Sequence, residues 1–247
     1  MIHLKDRKVS NMTILLIVAL LPPFYMMKMI YQMDKVEKEP ISLIRNLLLI
    51  SAFMAWPVSI IESIAVGVAT VILPPASSLY ILFTNILCIG LVEEAGKFIV
   101  ARRVWKNPAF NYRFDGIVYA VFVSLGFALW ENISYVASYG LSTALVRAVT
   151  AVPGHACFGV FMGAWYGMAR WYENYGEYDK SRRYRRLALI VPTLLHGCYD
   201  FIATISGTMF GMIFVVFVVL MFAAARRTVM RLSQDDRYID NDGFFNR

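Results

Sequence analysis

Two adjacent carboxylates and an ammonium, Glu93, Glu94 and Lys97, sit inside an apolar run that begins near Ser77 and ends at Arg102-Arg103. On a helix Glu93 and Glu94 point about 100° apart, while Lys97 shares a face with either. One carboxylate could therefore do chemistry while the other is held by Lys97 or a neighbouring helix. The same spacing suits a structural ion pair between helices. A charge at a bilayer centre costs roughly 2.5–3.5 kcal/mol on insertion scales, so such groups face a protein interior and pair with something. Candidate partners lie in other apolar runs: Glu131 and Tyr135, four residues apart; His155, after Pro153-Gly154; His196 and Asp200, also four apart. Carboxylate with imidazole supports two chemistries. A glutamate can act as general base on water while histidines or amides stabilise the oxyanion. Alternatively, two histidines and a glutamate can bind zinc with water in the open position; His155, His196 and Glu94 form that candidate set. Asp200 would then orient His196 from behind. Tyr135 can polarise a carbonyl or anchor at the membrane interface, and Asp115 reads as a helix-dipole or capping carboxylate. The sequence has neither the His-Glu-x-x-His zinc motif nor the Gly-x-Ser-x-Gly nucleophile elbow.

The elements that must position these groups follow from composition. The chain has 247 residues, 59% of them hydrophobic and 17% charged, against about 45–50% and about 25% in soluble domains. This predicts an all-α, polytopic transmembrane bundle forming one integral-membrane domain in the lipid bilayer of the cell membrane. Spans are expected at about residues 12–31, 41–72, 77–104, 114–138, 141–170, 187–206 and 209–225, seven in all. An eighth fits within residues 41–73, and a polar tail follows from 226 to 247. Pro22-Pro23 should kink the first span and Pro153-Gly154 the fifth. The net charge of +7 is not read as a nucleic-acid footprint, because the basic residues gather in short loops. Those loops, near residues 102–113 and 171–186, and the C-terminus are expected in the cytoplasm. Seven spans then put the N-terminus outside, against the pull of Lys5, Arg7 and Lys8; an eighth would remove that conflict. Cys88, Cys157 and Cys198 all fall in apolar runs, which argues for packing rather than disulfides. Counting at about 1.5 Å per residue puts Glu93, His155 and His196 near mid-membrane but Glu131 toward the outer side.

Read in order, the blocks carry a resemblance. They are Glu93-Glu94-x-x-Lys97, Asp115-Gly116-Ile117-Val118-Tyr119, Gly126-Phe127-Ala128-x-x-Glu131-Asn132-x-x-Tyr135, His155 with Gly159, and His196-Gly197-x-Tyr199-Asp200. This series resembles the PrsW family of membrane proteases, relatives of the CAAX-processing glutamate endopeptidases. The CAAX relatives carry Glu-Glu-x-x-x-Arg and Phe-x-x-x-His; here the cation comes one residue earlier, at Lys97, and the second block reads Phe127-x-x-x-Glu131. The resemblance implies an intramembrane endopeptidase making the first cut in a membrane-spanning substrate such as an anti-sigma factor. Glu93, Glu94, Glu131, His155 and His196 would be its catalytic set, supported by Lys97, Tyr135 and Asp200, with zinc as the candidate metal. The competing reading is a proton- or ion-coupled transporter, because relays use the same buried groups. A transporter should show internal repeats, and none is visible. A protease requires the acids and imidazoles to converge on one point.

Overall fold

In hydrocarbon every backbone N–H and C=O must find a partner within the chain, and the helix is the local solution. The computed structural model describes residues 2–75 and 77–239, with side chains from Ile17 onward. Among the described residues the regular structure is helical, with short turns and links between helices and one isolated bridge between Tyr112 and Tyr238. The helices are α1 (Ile2–Met33), α2 (Ile41–Ile72), α3 (Ser78–Phe83), α4 (Leu91–Ala101), α5 (Asp115–Tyr139), α6 (Leu141–Val149), α7 (Ala151–Asn174), α8 (Tyr178–Thr204) and α9 (Thr208–Gln234). A π-helical turn, Thr84–Gly90, joins α3 to α4, and a 3₁₀ turn, Arg102–Val104, ends α4. These make seven rods, because α3 runs into α4 and α6 into α7. Six rods, from α2 to α9, are long and apolar enough to cross a membrane; the span expected at residues 12–31 of α1 lies partly outside the residues whose side chains are described. Lys5, Arg7 and Lys8, singled out in the sequence, have side chains outside the described residues.

Helix α5 is the axle. Some 83% of its apolar window is buried, against 22% for α2 and 17% for α9. It packs against α7, α2, α1, α4 and α6. The outer faces of α2 and α9 leave Phe53, Trp56, Ile64, Val71, Met212 and Val219 exposed, as lipid-facing helices require. Small residues bring α5 and α7 together. Gly163 lies against Gly116, and a Cβ on Gly163 would meet the Ile117 Cα at 2.5 Å. Without a hydrophobic driving force between helices in lipid, such close backbone approach is what holds them. Gly159, Gly163 and Gly167 continue, at four-residue steps, the stripe that His155 heads. That stripe fixes the face of α7 turned to α5.

Several boundaries differ from those read in the sequence. The stretch 171–186 is mostly helix: only residues 175–177 separate α7 from α8. Its arginines therefore ride on a helical extension beyond the apolar part, which hydropathy alone reads as loop. The fifth span breaks at Thr150 (φ −122°, ψ −72°) rather than at Pro153-Gly154. Pro153 sits in the first turn of α7, where its missing N–H costs nothing. Residues 41–72 form one helix with Pro57 inside it, so no eighth span arises there. The tail is helical to Gln234, and its last residues, 240–247, lie outside the described residues. All three cysteines are free.

Candidate active site

The local folds deliver the groups. Glu93 and Glu94 occupy the first turn of α4, just past the π-helical turn. That wide turn packs against α8: a Cβ on Gly197 would meet the Ile86 Cα at 2.6 Å. Glycine next to His196 thus lets α8 press onto the segment that presents the glutamates. Such π-turns are frequent at functional sites.

Lys97 is the hub. Its Nζ donates to Glu94 Oε1 at 2.6 Å and to Glu93 Oε2 at 3.1 Å, and lies 3.2 Å from His155 Nδ1. It also sits 4.6 Å from the centroid of the Phe127 ring. Lys97 and Glu94 are completely buried and Glu93 is 3% exposed. Because the ammonium has only protons to give, His155 Nδ1 must accept. The proton of neutral His155 is then on Nε2, which faces Glu131 Oε2 at 2.7 Å. The backbone carbonyl of His155 accepts from Ser124 Oγ at 2.6 Å, which pins the first turn of α7 to α5. His196 spans two carboxylates: Nδ1 is 3.0 Å from Glu94 Oε1 and 3.8 Å from Glu93 Oε2, and Nε2 is 3.3 Å from Asp200 Oδ2. Phe158 stacks on its ring at 4.6 Å between centroids, and the two imidazoles stand 5.5 Å apart.

These groups surround a cavity of about 290 Å³ whose lining includes Glu62, Glu93, Glu131, His155, His196 and Asp200. Glu94 and Lys97 are not part of the lining. The two carboxylates that lie 100° apart thus divide their work: Glu93 opens to the cavity, and Glu94 is clamped between Lys97 and His196. Every residue expected at the site is brought to it. Tyr135 lines the cavity and carries the Arg147 guanidinium 4.1 Å over its ring. Glu131, whose depth looked wrong from counting, reaches His155 because the helices start elsewhere. Glu131 lies sixteen residues beyond Asp115, His155 nineteen before Asn174, and His196 eighteen beyond Tyr178. At 1.5 Å per residue all three are about 24–28 Å from the basic end.

Arg147 and Glu62 escaped the sequence reading. Arg147 lies 3.6 Å from Glu131 Oε2, and its Nε donates to Asn132 Oδ1 at 2.9 Å. Asn132 in turn donates to the Ala19 carbonyl at 2.7 Å, tying α1 to the site. Glu62 lines the cavity from α2. Arg147 and Glu62 are charges in apolar runs, the same signal that picked out Glu93.

Two overlapping groups offer metal-ligating atoms within 4.8 Å of one another: Glu93 with Glu131 and His155, and Glu93 with Glu94 and His196. The set His155, His196 and Glu94 is not assembled as such; Glu93 is the member both groups share. Carboxylates and imidazoles are ligands zinc takes. Glu94 Oε2 is buried with no hydrogen-bond partner, so an oxygen is left free at the centre. The residues fit a metal.

Comparison with known proteins points to one family. The family described as PrsW family intramembrane metalloprotease matches residues 39–224. A relative named Protease PrsW from Bacillus subtilis (strain 168) is 34% identical over 189 residues, covering 74% of this chain and 79% of the relative. One from Geobacillus kaustophilus (strain HTA426) is 33% identical over 213 residues, 86% of each chain. One from Oceanobacillus iheyensis is 33% identical over 215 residues, 87% of this chain and 94% of the relative. No solved structure matches. With its buried acid and imidazole groups gathered inside a bundle of apolar helices, this chain belongs to the PrsW family of intramembrane metalloproteases.

Proposed function

We propose that the protein hydrolyses a peptide bond of a membrane-spanning protein, with Glu93 as the base that activates water. The observation that carries this is the shared cavity: Glu93, Glu131, His155 and His196 converge on one space inside the bundle. That convergence is what hydrolysis needs and what a chain of relay groups does not.

Each group has a task set by its contacts. Glu93 keeps an oxygen toward the cavity and can take the proton of an attacking water. Glu94 holds Lys97 and His196 in place. Lys97 fixes the tautomer of His155, so that Nε2–H points to Glu131. His196, between Glu94 and Asp200, places positive charge beside the carbonyl oxygen where negative charge develops. Arg147 steadies Glu131. A metal held by Glu93 with His155 and Glu131, or with Glu94 and His196, would take the place of the proton on the ligating imidazole nitrogen and would then supply Lewis-acid activation of water or carbonyl. Pairing keeps the buried charges tolerable, since an unpaired ion in a low-dielectric interior is costly.

The substrate follows from place. A cavity enclosed by transmembrane helices admits a chain that itself enters the membrane. A single-span regulator of the anti-sigma-factor type is the substrate class this reading favours. The basic ends of α4, α7, α8 and α9 lie on the cytoplasmic side in this reading, with the active-site cavity toward the outer leaflet. The test is a comparison of membrane proteomes from cells carrying the wild-type protein and the Glu93→Gln variant. One or a few single-span proteins should accumulate at full length in the variant, and their fragments should vanish. Unchanged membrane proteins under several envelope stresses would overturn the reading.

A further inference from the structure

A second cluster of acids lies at the other end of α5. Asp34 and Glu39 belong to the link between α1 and α2, and Asp115 opens α5. All three are at most 3% exposed, and each offers an oxygen within 4.8 Å of the others. Glu131 is sixteen residues further along α5, about 24 Å at 1.5 Å per residue, so the cluster is separate from the catalytic cavity. Asp115 Oδ2 accepts from the backbone N–H of Asn111 at 3.0 Å and of Tyr112 at 2.7 Å, and Glu39 accepts from the Tyr119 hydroxyl. Asp34 is different: both of its carboxylate oxygens are buried without a hydrogen-bond partner. Among the described residues no cation lies within ion-pair distance of the three carboxylates. Lys38 is adjacent, but it donates to the backbone carbonyls of Tyr31 and Asp34. Glu37 and Asp236 add further negative charge nearby.

Three buried carboxylates at this range cannot all be ionised and unaccompanied, because like charges raise one another's cost of ionisation. We propose that Asp34, Glu39 and Asp115 bind a calcium-sized hard divalent cation. The ligands are all oxygen, with neither histidine nor cysteine, which suits calcium or magnesium rather than zinc. Ca²⁺ takes oxygens at about 2.3–2.6 Å and tolerates irregular geometry, so it bridges atoms up to about 5 Å apart. Mg²⁺, at about 2.0–2.1 Å with octahedral demands, would need the site to contract. The ion would clasp the α1–α2 link to the start of α5. The same corner holds the C-terminal segment, through Asp236 accepting from the Phe114 N–H at 2.9 Å and the Ile239 N–H donating to the Asn111 carbonyl at 2.5 Å.

The experiment uses the full chain in detergent, stripped with chelator and carrying Glu93→Gln and His155→Ala to disable the catalytic cluster. CaCl₂ and MgCl₂ are titrated separately by calorimetry, and melting is followed with and without each ion. One equivalent of Ca²⁺ should bind more tightly than Mg²⁺ and raise Tm by about 5 °C or more at a hundredfold excess over Kd. Adding Asp34→Asn should abolish both effects. In chelator that variant should melt at or above the parent, since it removes an unpaired buried charge. Absence of binding in the parent, or Mg²⁺ binding as tightly as Ca²⁺, would overturn the proposal. So would retained binding in Asp34→Asn, or a variant that melts lower in chelator, which would mean Asp34 serves the fold instead.

Discussion

Replacing Lys97 with methionine tests the electrostatic arrangement at its hub. The side chain keeps most of its length and loses its charge. Its ammonium lies 2.6 Å from Glu94 and 3.1 Å from Glu93, with all three groups buried. Removing one partner of a buried ion pair costs about 3–5 kcal/mol, because the other charge stays behind uncompensated. His196 remains 3.0 Å from Glu94 Oε1, which places the cost at the low end, about 3 kcal/mol. For a chain of this size that is a fall in Tm of about 6–12 °C. The companion variant Glu94→Gln/Lys97→Met removes a charge of each sign and should recover at least about 1 kcal/mol, a coupling typical of contacting residues. Thermal unfolding of the detergent-solubilised protein reads both numbers. Cleavage should be lost in both variants, because His155 no longer has its Nδ1 donor. A Lys97→Met protein that melts like wild type would refute the reasoning, as would a double variant less stable than the single one.

Further outcomes follow from the same contacts. Gly163→Val should cost about 3 kcal/mol or more, because its new Cβ meets the backbone of Gly116 and Ile117, whereas Gly67→Val, with nothing within 4 Å, should fold normally; size-exclusion profiles in detergent separate the two. Arg147→Met should slow cleavage about 10- to 100-fold with Tm little changed, since it releases Glu131 without leaving a fully buried ion. At the acidic corner, burial pushes the Asp34 carboxyl up to about 6 and the Glu39 carboxyl up to about 7, with Asp115, Tyr119, Glu37, Asp236 and Lys38 around them. A raised carboxyl pKa means that the folded state binds more protons, so these groups lower stability as pH rises from about 4 to about 7. In chelator, wild type should therefore lose more Tm between pH 5 and pH 7.5 than Asp34→Asn/Glu39→Gln does.

The site was legible where its signal was a charge stranded among apolar residues. Glu93, Glu94 and Lys97 announced themselves this way, and His196 and Asp200 did so by lying one helical turn apart. The division of labour between the two glutamates was not legible, because it depends on which face of α4 meets α8. Glu131 looked too far out because depth was counted from hydropathy boundaries. The helix α8 actually starts nine residues before Leu187, and α7 starts after a break at Thr150. Arg147 was absorbed into an apolar span, although its charge was the same clue that flagged Glu93. The π-helical turn at Thr84–Gly90 leaves no mark in composition. Asp115 read as a capping group, and it does bind backbone N–H groups. Its partners are those of the preceding loop, and its neighbours Asp34 and Glu39 are 76 or more residues away in sequence. The helical, membrane-spanning fold was legible because an apolar composition leaves the backbone so few alternatives.

The most direct test is cleavage by purified protein in liposomes, with a single-span membrane protein identified from the proteome comparison as substrate. Wild type and Glu93→Gln are measured side by side, with Tm recorded for each. Glu93 as the cavity-facing base predicts that Glu93→Gln cuts at least about 10²-fold more slowly while melting within a few degrees of wild type. Cleavage by Glu93→Gln at the wild-type rate would contradict the account.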